Sequence, residues 1–356
     1  MYRQIRFYKL RLVPKKENNI NEVKKENMKN NFVGKKTIQG SIKKFTYHKY
    51  FYEITLFVVL LVISFIVSFL TPYFLTTQNI LNVFQQVSIT AIVAFGMAFV
   101  IISQGIDLSV GAGIALVGVP VATIIIEGGG TPLSLALGIL SGIALGAVIG
   151  LINGINIVYL KMAPFIATLA MMSITRGVAL VYTKGQPIFG LPKSFIFIGN
   201  GFVGPIPFSV IIMLVVFGIS VWISEFTPFG RTVYAMGGNE EATRLAGVNV
   251  KKYRILIYMM SVICVCIAVV IFTALLASAQ PAAGDAFQFN SITGAIMGGV
   301  ALFGGSGTMV GVLIGTILIG VINNGQALMN IDPYMQYVVK GVFVLIAVTI
   351  SALRKE

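Results

Sequence analysis

Long apolar stretches separated by short polar connections recur along the chain from about residue 54 to its carboxyl end. Several are long enough to supply the ~20 residues of helix that cross a bilayer. They do not alternate apolar and polar residues in the ~10-residue segments of a membrane β-strand. The pattern predicts an all-α polytopic membrane protein with about ten transmembrane helices. The predicted spans are roughly 54–70, 81–103, 109–126, 133–158, 163–182, 206–225, 255–278, 290–303, 308–329 and 335–352.

The eighth predicted span, 290–303, is shorter than a straight bilayer crossing requires. Irregular backbone is tolerated at membrane depth only where neighbouring protein covers it or where it lines a cavity. We therefore expect a broken or re-entrant helix in this region, and the sequence does not decide between the two.

Lys and Arg are distributed unevenly between alternate connections. With the amino terminus in the cytoplasm, the inner segments carry 14 in the amino-terminal tail, Lys161, five in the loop 226–254 and two at the carboxyl end. The outer segments then carry only Lys184 and Lys193. Because cytoplasmic segments of membrane proteins are enriched in these residues, the count predicts an N-in/C-in topology in the plasma membrane.

The first 49 residues are polar and rich in Lys and Asn. We expect 1–49 to be a basic, disordered cytoplasmic tail and 50–356 to be the transmembrane domain. Met28 is a candidate for the true start, since the residues after it would form an ordinary short amino terminus. Most of the formal net charge of +14 lies in this tail, where it favours orientation and contact with anionic lipid over binding of nucleic acid.

Residue types that could carry catalysis are scarce. The single histidine, His48, lies at the membrane edge, and Cys264 and Cys266 would point in nearly opposite directions on a helix. We therefore expect no metal site and no catalytic residues. The sequence also has no GxxxxGK[ST] phosphate-binding loop, so the chain is not expected to hydrolyse ATP. Energy for transport would come from a partner ATPase or from an ion gradient.

Two series of glycines recur at intervals of four residues, which would place each series along one face of a helix. Such faces allow close backbone approach between membrane helices, and they could also form a sliding seam. Each series is followed by a related motif, GLINGIN at 150–156 and GVINNGQ at 320–326, which suggests an internal repeat. The candidate packing residues are Gly138, Gly142, Gly146, Gly150, Gly154, Gly307, Gly311 and Gly315.

The loop 226–254 is predicted to contain a short helix, about 240–246. Asn239 is a good N-cap, Glu240 and Glu241 favour the positive end of the helix dipole, and Gly247 can end the helix. The small residues Ala242 and Ala246 would lie on one face. The helix is either a compact knob for a groove on a partner or a capped surface helix without one.

Polar residues within the spans are candidates for a transport path, although hydrogen bonds between helices explain them equally well. They are Gln85, Gln86, Asn153, Asn323 and Asn324. Asp107 belongs to SQGIDLSVGAG, between the second and third spans. It is expected to cap the next helix in a cytoplasmic turn, or else to lie at a deeper break that lines the path.

Several motifs, in this order, resemble the permeases of ABC importers for ribose and related monosaccharides, and most closely the ribose permeases. The resemblance covers roughly residues 50–352. It rests on FLTTQNILNVFQQVSITAIVAFGMAFVIISQGIDLSVG, PFIATLAMMSITRGVALVYTKGQPI, GRTVYAMGGNEEATRLAGVNV and SAQPAAGDAFQFNSITGAIMGGVALFGGSGTMVGVLIGTILIGVINNGQ.

The resemblance implies a permease subunit, as a homodimer or paired with a close paralogue, that moves a monosaccharide such as ribose into the cytoplasm. A sugar-binding protein would deliver the ligand outside. A cytoplasmic ATPase subunit would hold ATP and Mg²⁺, so no cofactor would be bound by this chain. The match places Glu240, Ala242, Arg244 and Gly247 in the ATPase-coupling helix, while Glu241 stands where the family often has a small residue. The alternative is an ion-coupled secondary transporter of a small polar solute.

Overall fold

The computed structural model describes residues 51–353, so the predicted tail 1–49 and Met28 lie outside the described residues. From Glu53 onward the chain forms one compact unit. The helices are α1 Phe51–Leu70, α2 Thr77–Ile102, α3 Ser109–Glu127, α4 Pro132–Val158, α5 Pro164–Thr183, α6 Lys193–Asn200, α7 Phe208–Phe226, α8 Pro228–Gly238, α9 Glu240–Leu245, α10 Val250–Leu275, α11 Asp285–Met297, α12 Met309–Leu328 and α13 Pro333–Leu353.

Four two-residue strands lie among these helices: β1 Ile188–Phe189, β2 Phe202–Val203, β3 Ile206–Pro207 and β4 Ser278–Ala279. Strand β1 pairs with β4 and β2 pairs with β3, both antiparallel. Both pairs lie outside the long apolar helices, because a two-stranded ribbon exposes backbone groups that lipid cannot satisfy.

Eight of the described helices are long and apolar enough to cross a membrane: α1 to α5, α7, α10 and α12. The all-α polytopic fold is thereby confirmed. The remaining two predicted spans, 290–303 and 335–352, fall on α11, which has only 13 residues, and on α13. Helix α2 is the central helix, since 89% of its most apolar window is buried.

Two sets of contacts mark the ends of the bundle. At one end, which we call the α9 end, Arg254 near the start of α10 donates to the carbonyl of Ser103 just after α2. At the other, the β1–β4 end, Asn79 near the start of α2 pairs with Asn324 near the end of α12. The loop 226–254 lies at the α9 end, which the predicted topology assigns to the cytoplasm.

Helix α3 begins well inside the bundle. The connection after α2 leaves the α9 end at Gln104, and by Asp107 it has reached the level of Ser261. Ser261 lies seven residues beyond Arg254 on α10, which is about 10 Å along the helix axis. The turn at Asp107 therefore lies deeper in the bundle than the α9 end, and the Asp107 side chain accepts from the amide of Ser109, the first residue of α3, as the predicted contact with the next helix requires.

Helix α11 completes a broken crossing. After α10, Ala279 lies beside Gly118 of α3. Gly284 then packs against the backbone of Gly111, near the start of α3. Helix α11 follows, and the loop after it reaches the α9 end, where the Gly305 amide donates to the Ile102 carbonyl at 2.8 Å. Residues 276–305 thus cross from one end to the other as an extended segment followed by a short helix, and they do not re-enter. Ser278, Ala279, Pro281 and Gly284 are buried, so protein covers much of this irregular backbone.

The packing supports the suggested internal repeat. Helix α4 packs against α3 and α10, and helix α12 packs against α11 and α2. The first group is α2, a break, α3 and α4, and the second is α10, a break, α11 and α12. Each begins with a 26-residue helix and ends with a glycine-bearing helix that packs on the long helix of the other group. The two groups run in opposite directions between the ends, the arrangement of an inverted repeat.

The first glycine series lies on the face of α4 that meets α3 and α10. Side chains at Gly138 and Gly142 would press on Val121 and Val117 of α3, and side chains at the other three would press on α10. In the second series, Gly311 and Gly315 meet the backbone of Gly298. Gly307 does not belong to a helix face: it precedes the N-cap Thr308 with a φ of +147°, so its predicted packing role is wrong.

Substituting Gly150 with alanine should destabilise the protein by about 1–3 kcal/mol, the usual cost of overpacking. The new Cβ would lie 2.6 Å from the Met259 Cα, so backbone must move. Gly177→Ala is the matched control, because within the described part of the chain no atom outside its own stretch of helix lies within 4 Å of its Cβ position. Thermal unfolding in detergent measures both, and equal melting temperatures would contradict this account of the glycine face.

Candidate functional site

Helix α9 lies at the α9 end, capped as the sequence predicts. The Asn239 side chain accepts from the Ala242 amide at 2.9 Å, Glu240 and Glu241 occupy the first turn, and Gly247 follows the helix with a φ of +85°. Arg244 forms an exposed ion pair with Glu241 at 2.7 Å. Ala242, Ala246 and Leu245 are exposed, so one side of α9 lacks cover within the described chain.

Arg254 connects α9 to the membrane helices and is not among the site residues predicted from sequence. Its side chain is only 10% exposed. Its guanidinium pairs with Glu240 of α9 and donates to the Ser103 carbonyl at 2.9 Å. A cation near the start of an apolar helix can be recognised in the sequence. Its partner Ser103 lies 151 positions away, so the contact itself could not be predicted. Glu240 is therefore linked through Arg254 to the end of α2.

A second connection at this end combines one side chain with close backbone contacts. The Gln104 side-chain amide donates to the Gly237 carbonyl at 2.7 Å. A side chain at Gly237 would overlap the Ile102 carbonyl and the Gly305 amide, and one at Gly305 would lie 3.0 Å from Gly238. At these glycines the ends of α8 and α2 and the loop after α11 meet backbone to backbone.

Asp107 is fully buried at the start of α3. Its Oδ1 accepts from the Ser109 amide at 2.9 Å and from the Ser109 hydroxyl at 2.6 Å. Asn153 donates to that hydroxyl at 2.9 Å, and the Ser261 hydroxyl lies beside the carboxylate. Among the described residues, Asp107 Oδ2 has no hydrogen-bond partner of standard geometry.

The polar residues proposed from sequence do not converge on one path. Gln85 is buried and donates weakly to Gly199, whereas Gln86 is exposed on the same helix. Asn324 pairs with Asn79 toward the β1–β4 end, and Asn323 is half-buried beside it. Asn153 instead joins Asp107 in the buried cluster. Most of these side chains hydrogen-bond between elements, which was the alternative interpretation for each.

A further polar group lies at the break before α11. Arg176 of α5 pairs with Asp285 and donates to the carbonyls of Ala283 at 2.6 Å and Pro281 at 3.1 Å. The Asp285 side chain is 70% exposed and that of Arg176 is 20% exposed. Arg176 is a charge within the predicted span 163–182, but nothing in the sequence indicates that Asp285 would meet it.

Known proteins resemble this chain over most of its length. Residues 79–348 match the family described as branched-chain amino acid transport system / permease component. The chain is 43% identical over 297 residues to the ribose import permease protein RbsC of Bacillus subtilis (strain 168), covering 83% of this chain and 91% of that protein. It is 41% identical to RbsC of Escherichia coli (strain K12), covering 83% and 92%.

The D-allose transport system permease protein AlsC of Escherichia coli (strain K12) is 36% identical, with 84% of this chain and 91% of that protein covered. No solved structure matches the chain. The chain therefore belongs to the family of permease components of ABC importers, multi-pass membrane proteins whose ATPase is a separate subunit.

Proposed function

We propose that this chain forms the membrane path of an importer that moves a monosaccharide, ribose or a close relative, into the cytoplasm. The observation that carries this proposal is 43% identity to a ribose import permease over 91% of that protein's length. Relatives named for allose and galactose, at 36% and 35% identity, define the range of sugars to test.

Two copies of the chain, or one copy and a close paralogue, would form the path between them. An extracytoplasmic binding protein would deliver the sugar, and a cytoplasmic ATPase subunit would receive α9 and hold ATP and Mg²⁺. The exposed side of α9 supports this docking, since Leu245 is 78% exposed. Its connections to α2 through Arg254 and Gly237 offer a route by which ATPase closure reaches the membrane helices. The chain itself would bind no cofactor.

Uptake of radiolabelled ribose into proteoliposomes tests the function. We expect uptake only when the chain is reconstituted with its ATPase and binding protein and when ATP is supplied. Allose and galactose, as competitors, measure the selectivity. Uptake by the permease alone, driven by a proton or sodium gradient, would contradict the proposal and favour an ion-coupled transporter.

A further inference from the structure

We infer that Arg176, Asp285 and Phe289 form a subsite for a neutral polyhydroxylated ligand partway across the membrane. This inference rests on the proposed function and deepens it, because it identifies where within the path the ligand is bound. The three residues come from α5 and α11, and none belongs to the polar set selected from sequence.

Asp285 lies near the middle of the bundle. The preceding residue, Gly284, packs against the backbone of Gly111 in the first turn of α3. Two residues further along α3, a Cβ on Gly113 would lie 3.5 Å from Val265, near the middle of the 26-residue helix α10. The carboxylate at the start of α11 is therefore at membrane depth, far from either end of the long helices.

The exposure of this carboxylate conflicts with contact to lipid. The Asp285 side chain is 70% exposed on the single chain. A charged group facing hydrocarbon is costly, and intramembrane charges almost always face protein or a water-filled cavity. Its pairing with Arg176 leaves no net charge on the two residues. A wetted surface without net charge is suited to a neutral, hydroxyl-rich ligand.

Arg176 holds the subsite in place. It donates to the Pro281 and Ala283 carbonyls and pairs with Asp285 through Oδ1, which fixes the extended segment before α11 to α5. The exposed carboxylate retains lone pairs that can accept hydrogen bonds from sugar hydroxyls. Hydrogen bonds to a charged acceptor are stronger than neutral ones, so Asp285 can orient a ligand.

Phe289 supplies an apolar surface next to the carboxylate. It lies four residues after Asp285, so the two side chains are neighbours on one face of α11. Phe289 is 54% exposed. On α5, Ser173 is exposed and the Cβ position of Gly177 has no atom within 4 Å, which leaves room beside Arg176. An aromatic surface with a few fixed polar groups is the usual composition of a small-molecule site.

Cysteine labelling tests whether this surface is wet. In the assembled importer, Asp285→Cys and Phe289→Cys should react with a charged, membrane-impermeant thiol reagent, and ribose with the binding protein and ATP should slow the reaction. Leu214→Cys is the control, since Leu214 is 49% exposed but lies on α7, outside the proposed subsite. The native Cys264 and Cys266 are buried, so the unsubstituted chain provides the blank.

Transport kinetics test whether the surface binds ligand. Asp285→Ala should lower ribose uptake about 10-fold, the effect of losing one charge-assisted contact. Phe289→Ala should lower it by about the same factor, through loss of the apolar surface against the ligand. ATP hydrolysis stimulated by the binding protein should be retained. Asp332→Asn and Phe57→Ala, both at exposed positions elsewhere, are controls expected to transport normally.

The outcomes separate the subsite from the proposed function. If the unsubstituted importer fails to take up any of the three sugars with ATP, the proposed function fails. If it transports while Asp285→Cys resists the reagent, or forms a disulfide between the two copies without protection by ribose, the subsite inference is overturned alone. Normal uptake by both alanine variants would also overturn it.

Discussion

Arg254→Met should lower ATP-driven uptake about 10-fold or more while the importer still assembles, because the buried guanidinium joins the half-exposed Glu240 of α9 to the Ser103 carbonyl at the end of α2. Methionine keeps the apolar stem of the side chain but removes the guanidinium. Glu240 then loses its link to α2, and the Ser103 carbonyl loses a donor. The ratio of sugar transported to ATP hydrolysed measures the loss of coupling.

Lys252→Met is the matched control for this prediction. Lys252 lies two residues before Arg254 on α10, outside α9, and it is exposed. Exposed charges of this kind contribute little to stability. We therefore expect the control to retain most transport, and equal losses in the two variants would show that any positive charge at the start of α10 matters as much as the connection to α2.

Asp107→Asn should retain most transport, whereas Asp107→Ala should lose most of it. Asparagine keeps an oxygen that can accept from the Ser109 amide and hydroxyl, and its amide can donate to Ser261. Alanine leaves these buried donors unsatisfied, at about 1–3 kcal/mol each. Uptake and thermal stability of both variants measure the difference. A large loss of uptake in a stably assembled Asp107→Asn variant would show that the carboxylate itself is needed.

The structural features predicted best from the sequence are those that depend on residues adjacent along the chain. Asn239, Glu240 and Gly247 specify α9 through capping and dipole effects within one short segment, and α9 forms at that place. Hydropathy located the long helices for a similar reason, since each satisfies its own backbone. The depth of Asp107 could not be read in this way, because it depends on packing against Ser261 of α10.

Long-range partners were likewise beyond prediction. Arg254 meets Ser103, and Arg176 meets Asp285, only because the broken crossings bring distant segments together. The four-residue spacing of the glycines was informative for α4, where the helix continues through the series. It failed at Gly307, because the helix begins only after the N-cap at Thr308.

The meeting of Gly237, Gly305 and the Ile102 carbonyl has a mechanical consequence. A contact between side chains has slack, because rotamers can change when one partner is pushed. Backbone pressed on backbone has no such freedom, so a displacement of α8 would pass to α2 with little damping. This backbone contact is therefore stiffer than one made through flexible side chains, and it joins the loop that carries α9 to the centre of the bundle.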